Sequence, residues 1–238
     1  LSVLEAARDL DCPILRAGQD FHLESRGGNE LVLTLHGREY VFDKPLLGAR
    51  HQRDNLAAGM VAALTVFPVG DTLPDRVKTG MVKAHVPGRL EPVGDPPGYL
   101  VDVGHNPLAA AVVAEVLEQR GNRCYCVLGM LRDKDAESVA SLLAPQVTAF
   151  LCAGLTDGWR AQTGAELAER VRTVAGDIPV EDFPTVRGAL AEARRRAEGR
   201  RCVLVFGSFH TAAEAFEWFE DQGLERHRNP AHDAALAC

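Results

Sequence analysis

The residues best equipped for chemistry in this chain stand in short clusters, each directly behind an apolar run. Asp102 stands near the end of residues 99–103, and His105 and Asn106 follow, in Asp-x-Gly-His-Asn-Pro. Asp133 and Lys134 follow residues 123–128 in GMLRDKD, Asp157 follows 147–153 in AGLTDG, and Ser208 and His210 follow 202–206 in GSFHT. Near-continuous apolar runs of this length read as buried parallel strands, and ligands of open parallel sheets bind beyond the carboxyl ends of the strands. Carboxylates, imidazoles, an ammonium and a hydroxyl gathered at that edge make it a candidate active site, with the reaction left open. A structural reading stands beside it. Asn106 followed by Pro107 suits a helix start, with Asn as N-cap and Pro at the first helical position. Ser208 and Thr211 can also be caps, Asp102 a turn residue and His105 a structural histidine.

The elements that must position these clusters alternate along the chain. Strands are expected at 99–103, 123–128, 147–153, 180–183 and 202–206. Helices are expected at 107–119, 135–143, 164–174, 185–196 and 211–220. Strand and helix in turn, with short connections, imply an α/β domain with a parallel sheet covered on both faces. The first part reads differently: a helix at 2–10, a short strand near 13–16, a hairpin turning at His36-Gly37, and a helix at 51–67 with Asp54 or Asn55 in its first turn. Three prolines and three glycines around one short helical segment mark a linker between the two parts. The boundaries expected are 1–70 for the first domain, 71–87 for the linker, 88–222 for the second domain and 223–238 for a loosely ordered tail.

Composition narrows the function classes. Among 238 residues there are 26 Lys and Arg against 33 Asp and Glu, a net charge of −7, which argues against a general nucleic-acid binder. There is no apolar run of about 18 residues for a membrane span and no basic, apolar leader at the start. Six cysteines without a CxxC pair read as buried reduced thiols of a cytoplasmic protein, and no metal site is expected among them. G-x-G-x-x-G, the G-x-S-x-G elbow and the G-x-x-x-x-G-K-S/T phosphate loop are all absent.

Five stretches taken together carry a family resemblance: HQRDNLAAGMVAAL, HVPGRLEPV, LVDVGHNPLAAAV, LGMLRDKD and VFGSFHTAAEA. Their order and spacing resemble the folylpolyglutamate synthases, nearest to the bacterial bifunctional dihydrofolate synthase/folylpolyglutamate synthase type, within the Mur ligase superfamily. The resemblance implies a Rossmann-like, mostly parallel C-terminal domain of Mur ligase type, preceded by the tail end of a central ATPase domain. It implies an ATP-dependent ligase that makes an acyl phosphate from dihydropteroate or a folate tail and couples it to L-glutamate. Asn55 resembles the asparagine that meets adenine, Arg89 the arginine that reaches the phosphates, and Asp102 the aspartate that contacts the ribose. His105 resembles the histidine near the acyl phosphate, a catalytic position, and with Ser208 it is implied to hold the incoming glutamate. The family more often has alanine where this chain has Gly104, and the glycine is expected to loosen that turn. The family's phosphate loop, magnesium ligands, carbamylated lysine and most pterin-binding loops are implied to lie upstream of Leu1. The chain is therefore expected to be a C-terminal half, inactive alone, from a cytoplasmic enzyme that is monomeric at full length and uses ATP and Mg2+. Two alternatives stay open: another Mur-type amino-acid ligase of the peptidoglycan or cyanophycin kind, and a non-catalytic binding module derived from a ligase.

Overall fold

The computed structural model describes residues 2–27, 30–43, 50–67, 75–77, 79–80, 86–94, 98–121, 123–156, 158–198 and 202–226. Most of the expected linker, Asp157, and residues 227–238 of the expected tail lie outside them. The chain divides into two compact units, Leu1–Ala84 and His85–Cys238.

In the first unit, α1 (Val3–Asp9) starts at a capping box: Glu5 N–H donates to Ser2 Oγ while Ser2 N–H donates to Glu5 Oε2. Strands β1 (Phe21–Arg26), β2 (Glu30–Leu35) and β3 (Arg38–Asp43) form an antiparallel sheet in that order. His36 and Gly37 join β2 to β3 as a two-residue turn with φ of 50° and 75°, as a primed hairpin turn requires. The strand expected near 13–16 is not there. The chain makes only an isolated bridge at Ala17, and the edge strand is β1, whose FHLESR buries just Phe21 and so carries no apolar signal. Helix α2 (Arg50–Val66) lays Ala57, Met60, Val61 and Leu64 on Phe21, Leu33, Leu35, Tyr40 and Phe42. It begins before the expected start, so Asp54 and Asn55 lie in its second turn.

The second unit is built on a six-stranded sheet of β4 (Glu91–Val93), β5 (Tyr99–Asp102), β6 (Cys124–Leu128), β7 (Val147–Ala153), β8 (Val180–Phe183) and β9 (Val203–Phe206). The spatial order is β4-β5-β9-β6-β7-β8, parallel throughout except for the antiparallel β4 at the edge. Alternate strand residues face opposite layers. Leu100, Cys126, Leu128, Phe150, Leu204 and Phe206 meet α3 (Pro107–Arg120), α4 (Ala136–Leu143) and α5 (Gly164–Arg172). Val101, Val127, Leu151, Val203 and Val205 meet α6 (Val186–Ala197) and α7 (Phe209–Asp221). Because β9 inserts between β5 and β6, Asp102, Phe206 and Leu128 stand in one register row. The loops that follow these three strands therefore leave the sheet side by side, at the reversal of strand order where α/β sheets bind ligands.

Candidate functional site

The turn that carries Arg89 is held from three directions. Gly88 has φ of 66° and Leu90 has φ of 50°, a left-handed conformation that costs a leucine about 1 kcal/mol or more. Gly88 also lies against Val103, whose Cγ1 would be 2.6 Å from any Cβ added there. The Gly88 carbonyl accepts Val103 N–H at 2.8 Å. Gly88 N–H donates to Glu91 Oε2 at 2.7 Å. Leu90 N–H donates to Asp102 Oδ2 at 2.9 Å. Arg89, exposed, sits between two residues whose backbones are fixed.

Asp102 is only 4% exposed, and its other oxygen, Oδ1, accepts Gly104 N–H at 2.7 Å. Both carboxylate oxygens thus serve the backbone, so the residue expected to meet a ribose is first the anchor of two loops. Gly104 corrects another expectation. Far from loosening its turn, it is buried, and a Cβ there would lie 2.7 Å from Ala109 Cβ, 2.8 Å from Asp102 Oδ1 and 2.8 Å from Phe206 Cε2. His105 is half-buried, with Nδ1 3.1 Å from Val103 O. That contact is a hydrogen bond only if Nδ1 carries the proton, which leaves Nε2 of the neutral ring as an acceptor. Asn106 takes the structural role, accepting Ala109 N–H with Oδ1 at 2.9 Å ahead of Pro107.

Ser208 is the N-cap of α7, 4% exposed, accepting Thr211 N–H at 3.0 Å. Thr211 donates its hydroxyl to Gly129 O at 2.6 Å, tying the β9 and β6 loops together. Its single O–H being used, the 2.7 Å contact between the two hydroxyls must have Ser208 as donor. Ser208 therefore retains one acceptor lone pair and no donor. His210 is half-buried in the first turn of α7.

The GMLRDKD loop is fastened by two residues with no sequence signal. Arg170 on α5 donates to the carbonyls of Arg132 at 3.1 Å and Lys134 at 2.7 Å, and forks onto Glu137 at 2.8 and 2.7 Å. The guanidinium holds the Glu137 carboxyl below the usual carboxylate range. Gln162, buried, donates to Met130 O at 2.8 Å. Asp133 pairs with Arg160 at 3.5 Å and Lys134 at 3.7 Å. Asn55 stands exposed on α2 of the first unit.

Burial pushes the Cys124 and Cys126 thiols up, and that of Cys152 to about 12. Among the described residues, no three His, Cys, Asp or Glu side chains converge into a metal-binding group, and no helix is long and apolar enough to cross a membrane.

Residues 88–209, just over half of the chain, match the family described as Mur ligase, glutamate ligase domain, and the chain belongs to that family. A dihydrofolate synthase/folylpolyglutamate synthase of Haemophilus influenzae is 39% identical over 127 residues, 52% of this chain and 29% of that protein. Escherichia coli FolC in complex with DHPP and ADP superposes with a TM-score of 0.76 at 26% identity, over 93% of this chain and 51% of that one. A bifunctional folylpolyglutamate synthase/dihydrofolate synthase with Mn, AMPPNP and L-glutamate bound gives a TM-score of 0.74 at 26% identity, over 92% and 50%. The chain spans about half the length of these relatives, or less.

Proposed function

We propose that this chain is the glutamate-ligase portion of an ATP-dependent enzyme that adds L-glutamate to dihydropteroate or to the glutamate tail of a folate. The observation that carries the reading is the three-way pinning of the Arg89 turn beside the loops that bear His105 and Ser208. A fixed, permanently charged fork suits phosphate oxygens, and a rigid backbone spares it the entropy of ordering. ATP gives its γ-phosphoryl group to a substrate carboxylate, leaving ADP. The amine of glutamate then forms a C–N bond at the acyl carbon, and the bond to phosphate breaks. Arg89 takes charge on the phosphates. His105, with Nε2 as acceptor, receives the proton that the amine must lose. Ser208 can only accept, so it faces the ammonium end of glutamate rather than a carboxylate. Asn55 keeps adenine. Asp102 keeps the Arg89 turn in place and also meets the ribose. Among the described residues no three His, Cys, Asp or Glu side chains converge, so the proposal gives none of them to Mg2+. Relatives of folate-synthase type favour this reading over a peptidoglycan or cyanophycin ligase. A cytoplasmic site of action and the bacterial folate substrates belong to the same proposal. The test is ADP release from an active ligase that contains this chain. Stimulation by dihydropteroate or folate with glutamate is expected; stimulation by a UDP-sugar peptide instead would overturn the reading.

A further inference from the structure

Glu91 and Arg226 have no part in the chemistry above, yet Glu91 is only 3% exposed on an edge strand of three residues. Arg226, 135 positions later, forks onto it with Nε to Oε1 at 2.8 Å and Nη2 to Oε2 at 3.2 Å. The same Oε2 accepts Gly88 N–H from the Arg89 turn. Arg226 is seated in turn. Its guanidinium carbon lies 3.7 Å from the centre of the Phe216 ring on α7, and its backbone bridges Val93. Glu225 O accepts Gly94 N–H at 2.8 Å, and Leu224 N–H donates to Phe219 O at 2.9 Å. Residues 224–226, expected as loose tail, thus extend the sheet edge alongside β4.

A largely buried ion pair costs desolvation that an apolar pair would avoid, but an apolar pair could neither accept the Gly88 amide nor hold the acceptor in place. Glu91 Oε2 accepts the Gly88 amide, and the Arg226 fork across both carboxylate oxygens fixes the Glu91 rotamer. We propose that Glu91 and Arg226 are positioning residues for Arg89: the C-terminal strap clamps the turn from behind, as Asp102 clamps it from in front. The proposal rests on the role given to Arg89 above.

The test has two arms. In this chain, the exchange rate of the Gly88 amide is measured by NMR for the wild type, Arg226→Gln and Arg226→Lys. The clamp predicts at least about tenfold faster exchange at Gly88 in Arg226→Gln, with strand β5 amides unchanged and a smaller effect in Arg226→Lys, which keeps charge but loses the fork. Unchanged exchange at Gly88 overturns the proposal. Should Arg226→Gln fail to fold, Arg226→Lys and Glu91→Gln carry the same comparison. In an active ligase containing this chain, Arg226→Gln is expected to lower kcat about tenfold or more, and to lower it no further when Arg89 is already alanine. Equal losses in both backgrounds overturn it. Normal turnover of Arg89→Ala would instead overturn the role of Arg89, while the amide exchange still decides the clamp.

Discussion

Replacing Asp102 by asparagine separates an anchor from a nucleotide ligand. The carboxylate accepts Leu90 N–H at 2.9 Å and Gly104 N–H at 2.7 Å. Asparagine offers one oxygen, so one of the two amides must face an NH2 group, donor against donor. Losing a buried charge-assisted bond and leaving its donor unpaired costs about 1–3 kcal/mol, and the surviving bond becomes a weaker neutral one. Leu90, held at φ of 50°, can then relax and return part of its strain. A net loss of about 2–3 kcal/mol follows. Both tryptophans, Trp159 and Trp218, lie in the second unit, so fluorescence during urea unfolding reports that unit. With a urea slope of about 2 kcal/mol per molar, the midpoint should fall by roughly 1–1.5 M. An unchanged midpoint, together with unchanged amide exchange at Leu90 and Gly104, would refute the anchor and return Asp102 to the nucleotide alone.

Further outcomes follow from the same geometry. Gly104→Ala, although it matches the residue the resemblance leads one to expect, should destabilise the second unit by about 1–3 kcal/mol, because Ala109, Asp102 and Phe206 fill the space; an unshifted urea midpoint would contradict this. Thiol labelling of the native chain, read by mass spectrometry, should modify exposed Cys12 quickly and leave Cys124, Cys126 and Cys152 untouched until unfolding, since burial disfavours their thiolates. Arg170→Gln should weaken the second unit at neutral pH and much less in acid. Glu137 has its carboxyl held below its ordinary value, so the stability from this pair is present above about pH 4.5 and is lost as pH falls through the lower folded value. A stability difference that grows toward low pH would contradict that assignment.

Much of the second unit was legible because fully buried parallel strands are near-continuous apolar runs, and because its helices begin at polar caps: Asn106, Asp135, Thr163, Thr185 and Ser208. Where burial is one-sided or the element is short, the text of the chain is silent. Strand β1 buries one residue of six, and β4 is Glu-Pro-Val, with a carboxylate where a buried strand should be apolar. The site residues were readable as types at strand ends, but their duties were not. That both oxygens of Asp102 face backbone amides, and that Ser208 has spent its only proton, are facts of hydrogen-bond geometry. Arg226 and Glu91 meet across 135 residues, a pairing no local pattern encodes.

Arg89, on its pinned turn, is proposed to serve phosphate chemistry in a folate-type glutamate ligase. The most direct measurement is ADP release, dependent on glutamate and on dihydropteroate or folate, by an active ligase containing this chain, compared with its Arg89→Ala variant. In that variant kcat is expected to fall about a hundredfold or more, as for loss of a transition-state charge contact, with the urea midpoint of the second unit unchanged. Wild-type turnover in the variant, or a loss that merely follows a fall in stability, would contradict it.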